Sequence, residues 1–166
     1  MNLSFQIAEQ KDLSKVFSMF RQSIMLMESQ GIYQWDEIYP NEDILCEDIS
    51  KKQLYICCME NKLVSAFVLN KECDKEYDSG DWKYTDGEYI IVHRLCVDSK
   101  LQNCGIGYAS MSIAEIIAKS MGAESLRLDC FAENPFALRL YSNLGYEVTG
   151  CANWRKGKFY LMEKSI

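Results

Sequence analysis

One stretch constrains the fold more than any other. The apolar run Tyr89-Ile90-Ile91-Val92-His93-Arg94-Leu95-Cys96-Val97 reads as a buried strand, and the turn Gln102-Asn103-Cys104-Gly105-Ile106-Gly107 follows almost at once. A helix then begins, because Ile106, Ala109, Ile113, Ile116 and Ile117 recur at spacings of three and four. The N–H groups at a helix start lack intrahelical acceptors and lie at the positive end of the helix dipole. Glycines at positions 105 and 107 would let an anion come close to that backbone. The pattern suits a phosphate cradle, and it also suits a plain tight connection between strand and helix. Two common nucleotide motifs are excluded. The dinucleotide fingerprint needs a third glycine where Ser110 stands, and the phosphate loop of nucleotide hydrolases needs a Gly-Lys-Ser/Thr run that does not follow.

At 166 residues the chain fits a single domain, residues 1–166, with a substantial core. Its 48% hydrophobic and 25% charged residues are those of a globular protein rather than a disordered one. No apolar run approaches the ~18 residues that cross a bilayer. The start, Met1-Asn2-Leu3-Ser4-Phe5, lacks the basic and apolar blocks of a signal peptide, so a cytoplasmic protein is expected. Of eight cysteines, Cys57, Cys58, Cys96 and Cys130 lie inside apolar runs, where a reduced thiol packs as a small hydrophobe. There is no Cys-x-x-Cys pair and His93 is the one histidine, so no metal is expected. A net charge of −6 argues against a nucleic-acid surface. It is compatible with a cationic substrate, and it also simply keeps a protein soluble.

Along the chain, Leu3–Ala8 reads as a short strand. Asp12 is placed as the N-cap of a helix carrying Leu13, Val16, Phe17, Phe20, Ile24 and Met27 as far as Gly31. From Gly31 to Pro40, Tyr33, Trp35 and Tyr39 surround Asp36 and Glu37 without a period. Such a set can enclose a cationic amine or pin a loop to the domain. A helix over Asn41–Lys51 precedes strands at Leu54–Met59 and Leu63–Leu69, joined by the polar link Glu60-Asn61-Lys62. Lys71–Glu88 is acidic and aperiodic; a loop of this length is functional or mobile, and Trp82 and Tyr84 keep the functional reading open. A strand at Ser125–Phe131 then leads to Asn134-Pro135, an N-cap followed by proline at the first helical position. That helix ends at Gly145, and two strands, Tyr146–Trp154 and Lys158–Glu163, close the order β-α-α-β-β-β-α-β-α-β-β.

At this point the chain resembles the GCN5-related N-acetyltransferase (GNAT) family. Val92-His93-Arg94-Leu95-Cys96-Val97-Asp98 followed by Gln102-x-x-Gly105-x-Gly107 is similar to that family's strand, pyrophosphate loop and helix. Asp129 to Gly145 resembles its second signature, with Asn134, Ala137, Leu140-Tyr141 and Leu144-Gly145-Tyr146 as markers. The resemblance implies a single-domain α/β fold whose central sheet is mixed, mostly antiparallel, of about seven strands, with helices on both faces. It implies that the backbone of Leu95, Cys96 and Val97 pairs with the pantetheine arm of acetyl-CoA. The backbone N–H groups of Gln102, Asn103, Cys104, Gly105, Ile106, Gly107 and Tyr108 would hold the pyrophosphate. Asn134 would bond the pantetheine region and Tyr141 would stand near the thioester sulfur. Cys104 departs from the family, which more often has a basic or small residue there, so one ionic contact to phosphate is in question. Dimers are frequent in the family.

The implied chemistry is amide formation. A lysine-type amine has a pKa near ~10.4, so presenting it neutral at pH 7 costs about 4.6 kcal/mol. Tyr141 would give a proton or hydrogen bond to the departing thiolate. His93, Asp129, Glu88 and a water chain are all open as routes for the amine proton. The leading reading is an N-acetyltransferase acting on a primary amine of a small molecule or peptide. The alternative is a module that binds acyl-CoA without efficient turnover. A cysteine-nucleophile hydrolase ranks third, because only His93 could serve as its base.

Overall fold

Seven strands and four α-helices follow one another in the order read from the sequence, in a computed structural model that describes residues 2–166. They are β1 (Leu3–Ile7), α1 (Leu13–Ser29), α2 (Glu42–Ser50), β2 (Leu54–Met59), β3 (Lys62–Asn70), β4 (Tyr89–Val97), α3 (Ile106–Ser120), β5 (Ser125–Phe131), α4 (Pro135–Asn143), β6 (Glu147–Trp154) and β7 (Gly157–Ser165). The strands make one mostly antiparallel sheet in the order β1-β2-β3-β4-β5-β7-β6, and the fold is α/β. Two compact units can be distinguished. The first is the chain up to Leu69 together with Arg94–Ile113; the second is Asn70–His93 with Ala114–Ile166.

In the first unit β1 pairs antiparallel with β2, and β2 with β3. The link between β2 and β3 turns through Glu60 and Asn61, at φ of 51° and 62°. A left-handed conformation at both residues gives the twist that a two-residue hairpin needs. Val16, Phe20 and Ile24 of α1 are buried, as are Leu45 and Ile49 of α2, so the helical periods report true core faces. The Asn41 side chain caps α2 by accepting from the Ile44 N–H at 3.0 Å. The start of α1 differs from expectation. A 3-10 turn over Gln10–Asp12 precedes it, and the Asp12 carboxylate accepts from the Glu9 N–H at 2.9 Å. Asp12 thus stands at the N-cap position of α1, as expected, but its side chain makes no cap bond there and instead closes, from the N3 position, a capping box that begins at Glu9.

In the second unit β5 pairs with β7 from Ser125↔Ser165 to Phe131↔Phe159, and β6 pairs with β7. The parallel register with β4 covers Tyr89↔Ser125 to Ile91↔Arg127, while β5 runs on, paired to β7. The acidic segment between β3 and β4 is a docked strap and contains a 3-10 turn, Lys75–Ser79. The Asp81 N–H donates to the Thr149 carbonyl at 2.8 Å and the Ser79 hydroxyl to the Cys151 carbonyl at 3.1 Å. These bonds cover the outermost strand, whose unpaired backbone would otherwise invite another chain. Gly150 permits the approach, since a Cβ there would lie 3.1 Å from Gly80 Cα and from the Ser79 carbonyl oxygen.

Candidate active site

The turn after β4 is built within the first unit. Asp98 caps a short 3-10 turn, Ser99–Leu101, by accepting from the Lys100 N–H at 2.9 Å. Asn103 and Gly105 then take φ of 60° and 79° and bring the chain to the start of α3. Asparagine and glycine are the residues that tolerate this conformation best. The Ala109 N–H donates to the Gly105 carbonyl at 3.0 Å, the first such bond of the helix. The N–H groups of Ile106, Gly107 and Tyr108 therefore have no intrahelical acceptor. Gly107 belongs to the helical first turn, so the left-handed turn geometry rests on Asn103 and Gly105.

The cradle is held from beneath. Ile106 is buried and packs with Cys57 and Val64. The buried Ser110 hydroxyl lies 2.6 Å from that of Ser65 and donates to the Ile106 carbonyl at 2.8 Å. Asn103, Cys104 and Gly105 are exposed, and a Cβ at Gly105 would meet nothing within 4 Å. This is the geometry of an anion site: a rigid base, donors at a helix start, and open space before them. The Cys104 thiol turns back on its own loop, toward the Gln102 carbonyl at 3.5 Å.

Just upstream, two features went unread in the sequence. The Val97 carbonyl accepts from the Ser23 hydroxyl of α1 at 3.1 Å, and the Cys96 thiol donates to that same hydroxyl oxygen at 3.2 Å. Burial pushes the Cys96 thiol up to about 12, so it is a structural group and not a nucleophile. Arg94, in mid-strand, takes φ of 53°, a conformation uncommon for any residue but glycine. Its guanidinium forks onto Asp48 at 2.9 and 2.7 Å and reaches the Tyr39 hydroxyl at 2.7 Å. Burial works against the charge, but Tyr39 and Asp48 outweigh it and the net shift is upward.

The aromatic loop ahead of α2 is accordingly pinned at several points. Trp35 is buried 5.4 Å from the Phe20 ring. The Asp36 carboxylate accepts from the Ile38 and Tyr39 N–H groups at 3.0 and 3.2 Å. Of the loop's aromatics, Tyr33 is the one left exposed.

The remaining expected residues lie in the second unit. Asn134 caps α4 by accepting from the Ala137 N–H at 3.0 Å, with Pro135 at the first helical position. Tyr141 is buried on α4 and meets the Tyr146 ring edge-on at 6.0 Å. Burial above all, reinforced by Cys130 and Asp129, pushes its hydroxyl well above the usual phenol range. The group is held neutral and can act as a donor. Asp129 accepts from the Tyr77 hydroxyl at 2.7 Å, which ties it to the strap. Glu88 is exposed and paired with Lys71, and His93 is half-buried on β4.

The strap itself is held by a buried pair. Glu163 accepts from Arg127 Nε at 3.0 Å and from the Lys83 N–H at 2.8 Å, while the Arg127 guanidinium lies 4.4 Å from the Trp82 ring and 3.9 Å from that of Tyr89. Trp82 also donates to the Tyr77 carbonyl at 2.8 Å. It is thus part of the strap's anchorage. Among the described residues no cluster of three or more His, Cys, Asp or Glu side chains could hold a metal ion, and no helix is long and apolar enough to cross a membrane.

Residues 20–146 match the model of the Acetyltransferase (GNAT) family. The chain belongs to this family. It is accordingly an acyltransferase, of a family that uses acetyl-CoA. A relative from Bacillus subtilis (strain 168), the uncharacterized N-acetyltransferase YesJ, is 25% identical over 94% of this chain and 86% of its own length. Two solved structures show the same fold. A GNAT-family acetyltransferase from Streptococcus agalactiae superposes with a TM-score of 0.85 at 15% identity, covering 99% of this chain and 95% of the other. The PaiA N-acetyltransferase from Thermoplasma acidophilum, in complex with coenzyme A, gives 0.76 at 17% identity over 100% of both chains. The GNAT fold and family expected from the two signatures are thereby established.

Proposed function

We propose that this GNAT protein transfers the acetyl group of acetyl-CoA to a primary amine of a small molecule or peptide, by direct attack of the amine on the thioester. The observation that carries the proposal is the array of N–H groups at the start of α3, with open space before it. It is an anion site of the chemistry that a pyrophosphate requires, in a chain whose structural relative from Thermoplasma acidophilum holds coenzyme A. The N–H groups from Gln102 through Tyr108 hold the pyrophosphate. Leu95, Cys96 and Val97 offer backbone to the pantetheine arm. Ser23 uses one lone pair of the Val97 carbonyl, and a carbonyl oxygen has two. Asn134 is assigned to the pantetheine region.

Tyr141, kept protonated by burial, gives its proton or a hydrogen bond to the leaving thiolate, an effect worth on the order of 10²-fold. Asp129 accepts from Tyr77 and Glu88 pairs with Lys71, and the amine proton leaves through His93, Asp129, Glu88 or a water chain. Acceptor choice lies with the aromatic loop and the acidic strap, and a homodimer is compatible with the reading.

Calorimetric titration with acetyl-CoA and desulfo-acetyl-CoA, beside a Gly107→Glu variant, tests this directly. A glutamate in the first turn suits the helix dipole, yet it sets a carboxylate against the phosphates; circular dichroism of the variant checks that it is folded. Binding that the variant loses supports the cradle. No binding at millimolar cofactor by the folded native protein would sink the proposal. Slow hydrolysis of acetyl-CoA that no amine accelerates would point instead to an acyl-CoA-binding regulatory module.

A further inference from the structure

We infer that Arg94 is a positioning residue that couples order in the Gly31–Pro40 loop to occupancy of the cofactor strand, Leu95–Val97. The inference rests on the cofactor reading above and goes beyond it. Its starting point is the backbone. A non-glycine residue at φ of 53° within a strand persists only where its surroundings over-determine it. Here they do. The buried guanidinium makes a two-point bond to Asp48 of α2 and a third bond to the Tyr39 hydroxyl of the loop, with its Cζ 5.7 Å from the Tyr39 ring.

Arg94 thus has two arrangements. In one the backbone of Arg94 is left-handed and Tyr39 is held. In the other the backbone relaxes into the ordinary strand region, which swings the guanidinium away and releases the loop. The direction of Leu95–Val97 depends on which is populated, because those residues follow Arg94 immediately. A ligand that pairs with their backbone in the left-handed form favours the first arrangement, and so favours a held Tyr39. By linkage, an acceptor that orders the loop tightens cofactor binding by the same factor.

The loop carries its own reporters, since the Ile38 and Tyr39 N–H groups are closed by the Asp36 carboxylate. Amide hydrogen exchange with and without saturating desulfo-acetyl-CoA reads the coupling. In the native protein the ligand should slow exchange at Gln102–Tyr108 and, in addition, at Ile38 and Tyr39, the latter by roughly tenfold, the weight of one hydrogen bond to a charged group. Tyr39→Phe should keep the slowing at the cradle and lose it in the loop. Arg94→Gly, which retains the left-handed backbone without the clamp, should behave the same way. A purely structural bond would raise loop exchange equally with and without ligand, leaving the ligand-induced slowing intact in both variants. That result overturns the inference, as does a native loop whose exchange ignores the ligand while the cradle responds. Absence of protection at the cradle itself overturns the cofactor reading and this inference with it.

Discussion

Replacing Glu163 with alanine should destabilise the fold through the charge it leaves behind. The Glu163 side chain is 1% exposed and that of Arg127 8%. Truncation removes the acceptor of Arg127 Nε, of the Lys83 N–H and, at 3.4 Å, of the Ser125 hydroxyl. The guanidinium cannot turn to water, because the Trp82 and Tyr89 rings enclose it at 4.4 and 3.9 Å. Breaking a buried pair from one side costs about 3–5 kcal/mol. The two ring faces still favour a cation, and one guanidinium nitrogen still donates to the Tyr84 carbonyl at 3.1 Å, so the lower end, about 3 kcal/mol, is expected. For a chain of this length that corresponds to about 6–12 °C in melting temperature.

Urea unfolding followed by tryptophan fluorescence measures the change, with Trp82 beside the lesion as reporter. The decisive control is the double variant Arg127→Met with Glu163→Leu, which removes both charges and fills the space. It should come within about 1 kcal/mol of the native protein, since the pair is offset by its own desolvation. The reasoning is refuted if the double variant is as unstable as Glu163→Ala. The loss would then come from packing or from the strap amides, and not from an unpaired charge.

Two further predictions concern the site and the thiols. Tyr141→Phe should lower kcat by about 10²-fold while desulfo-acetyl-CoA affinity stays within about twofold, and the pH–rate profile should keep its shape below about pH 10 because the buried hydroxyl is protonated throughout that range; a kcat within twofold of native removes Tyr141 from the mechanism. Iodoacetamide at pH 8, read by peptide mass spectrometry, should label the exposed Cys104 and Cys151 first and Cys73 more slowly, since partial burial and then Asp78 and Asp74 raise its thiol. Cys57, Cys96 and Cys130, pushed by burial up to about 11, 12 and 12, should react only after unfolding.

Much of this was legible before any coordinates, and for identifiable reasons. Element order follows from period and punctuation: the α4 cap at Asn134-Pro135 and the left-handed Gly145, at φ of 89°, are local chemistry that no tertiary contact overrides. The turn at 102–107 was legible as a strand-to-helix connection because Gly105 tolerates the left-handed conformation it takes, whereas the left-handed Asn103 was not singled out. The hidden part is made of long-range polar contacts. Arg94 meets Asp48 across 46 positions and Arg127 meets Glu163 across 36, separations at which no period reports. A signal was present all the same. Arg94 interrupts an apolar strand, and Asp48 stands on the apolar face of α2, beside the buried Leu45 and Ile49. A charge on a core face needs a partner of opposite sign, and these two answer each other. The aromatics of the 31–40 loop and of the strap allowed two readings because an aromatic cage for a ligand and an aromatic clamp for the chain have the same composition. Burial decides for Trp35, a core residue, and the bond from Trp82 to the Tyr77 carbonyl makes Trp82 part of the strap's anchorage.

The 31–40 loop and the strap, each within its own unit, share one construction. In each unit an arginine on a sheet strand forms a buried ion pair, and an aromatic from the loop lies against the guanidinium: Tyr39 on Arg94, Trp82 on Arg127. Apolar anchors would hold loops at least as strongly, since a buried pair is often no more stabilising than the hydrophobic residues that could replace it. What a guanidinium adds is direction, because its donors are fixed in one plane: Arg94 forks onto Asp48, and Arg127 divides its donors between Glu163 and the Tyr84 carbonyl. A loop that presents side chains in a fixed arrangement needs a defined conformation more than it needs depth of burial. A helix such as α4 gets its geometry from its own backbone bonds. The strap has only the single 3-10 turn Lys75–Ser79 and the 31–40 loop has no helix or strand, so at these two places the arginine pairs add geometry to what the backbone supplies.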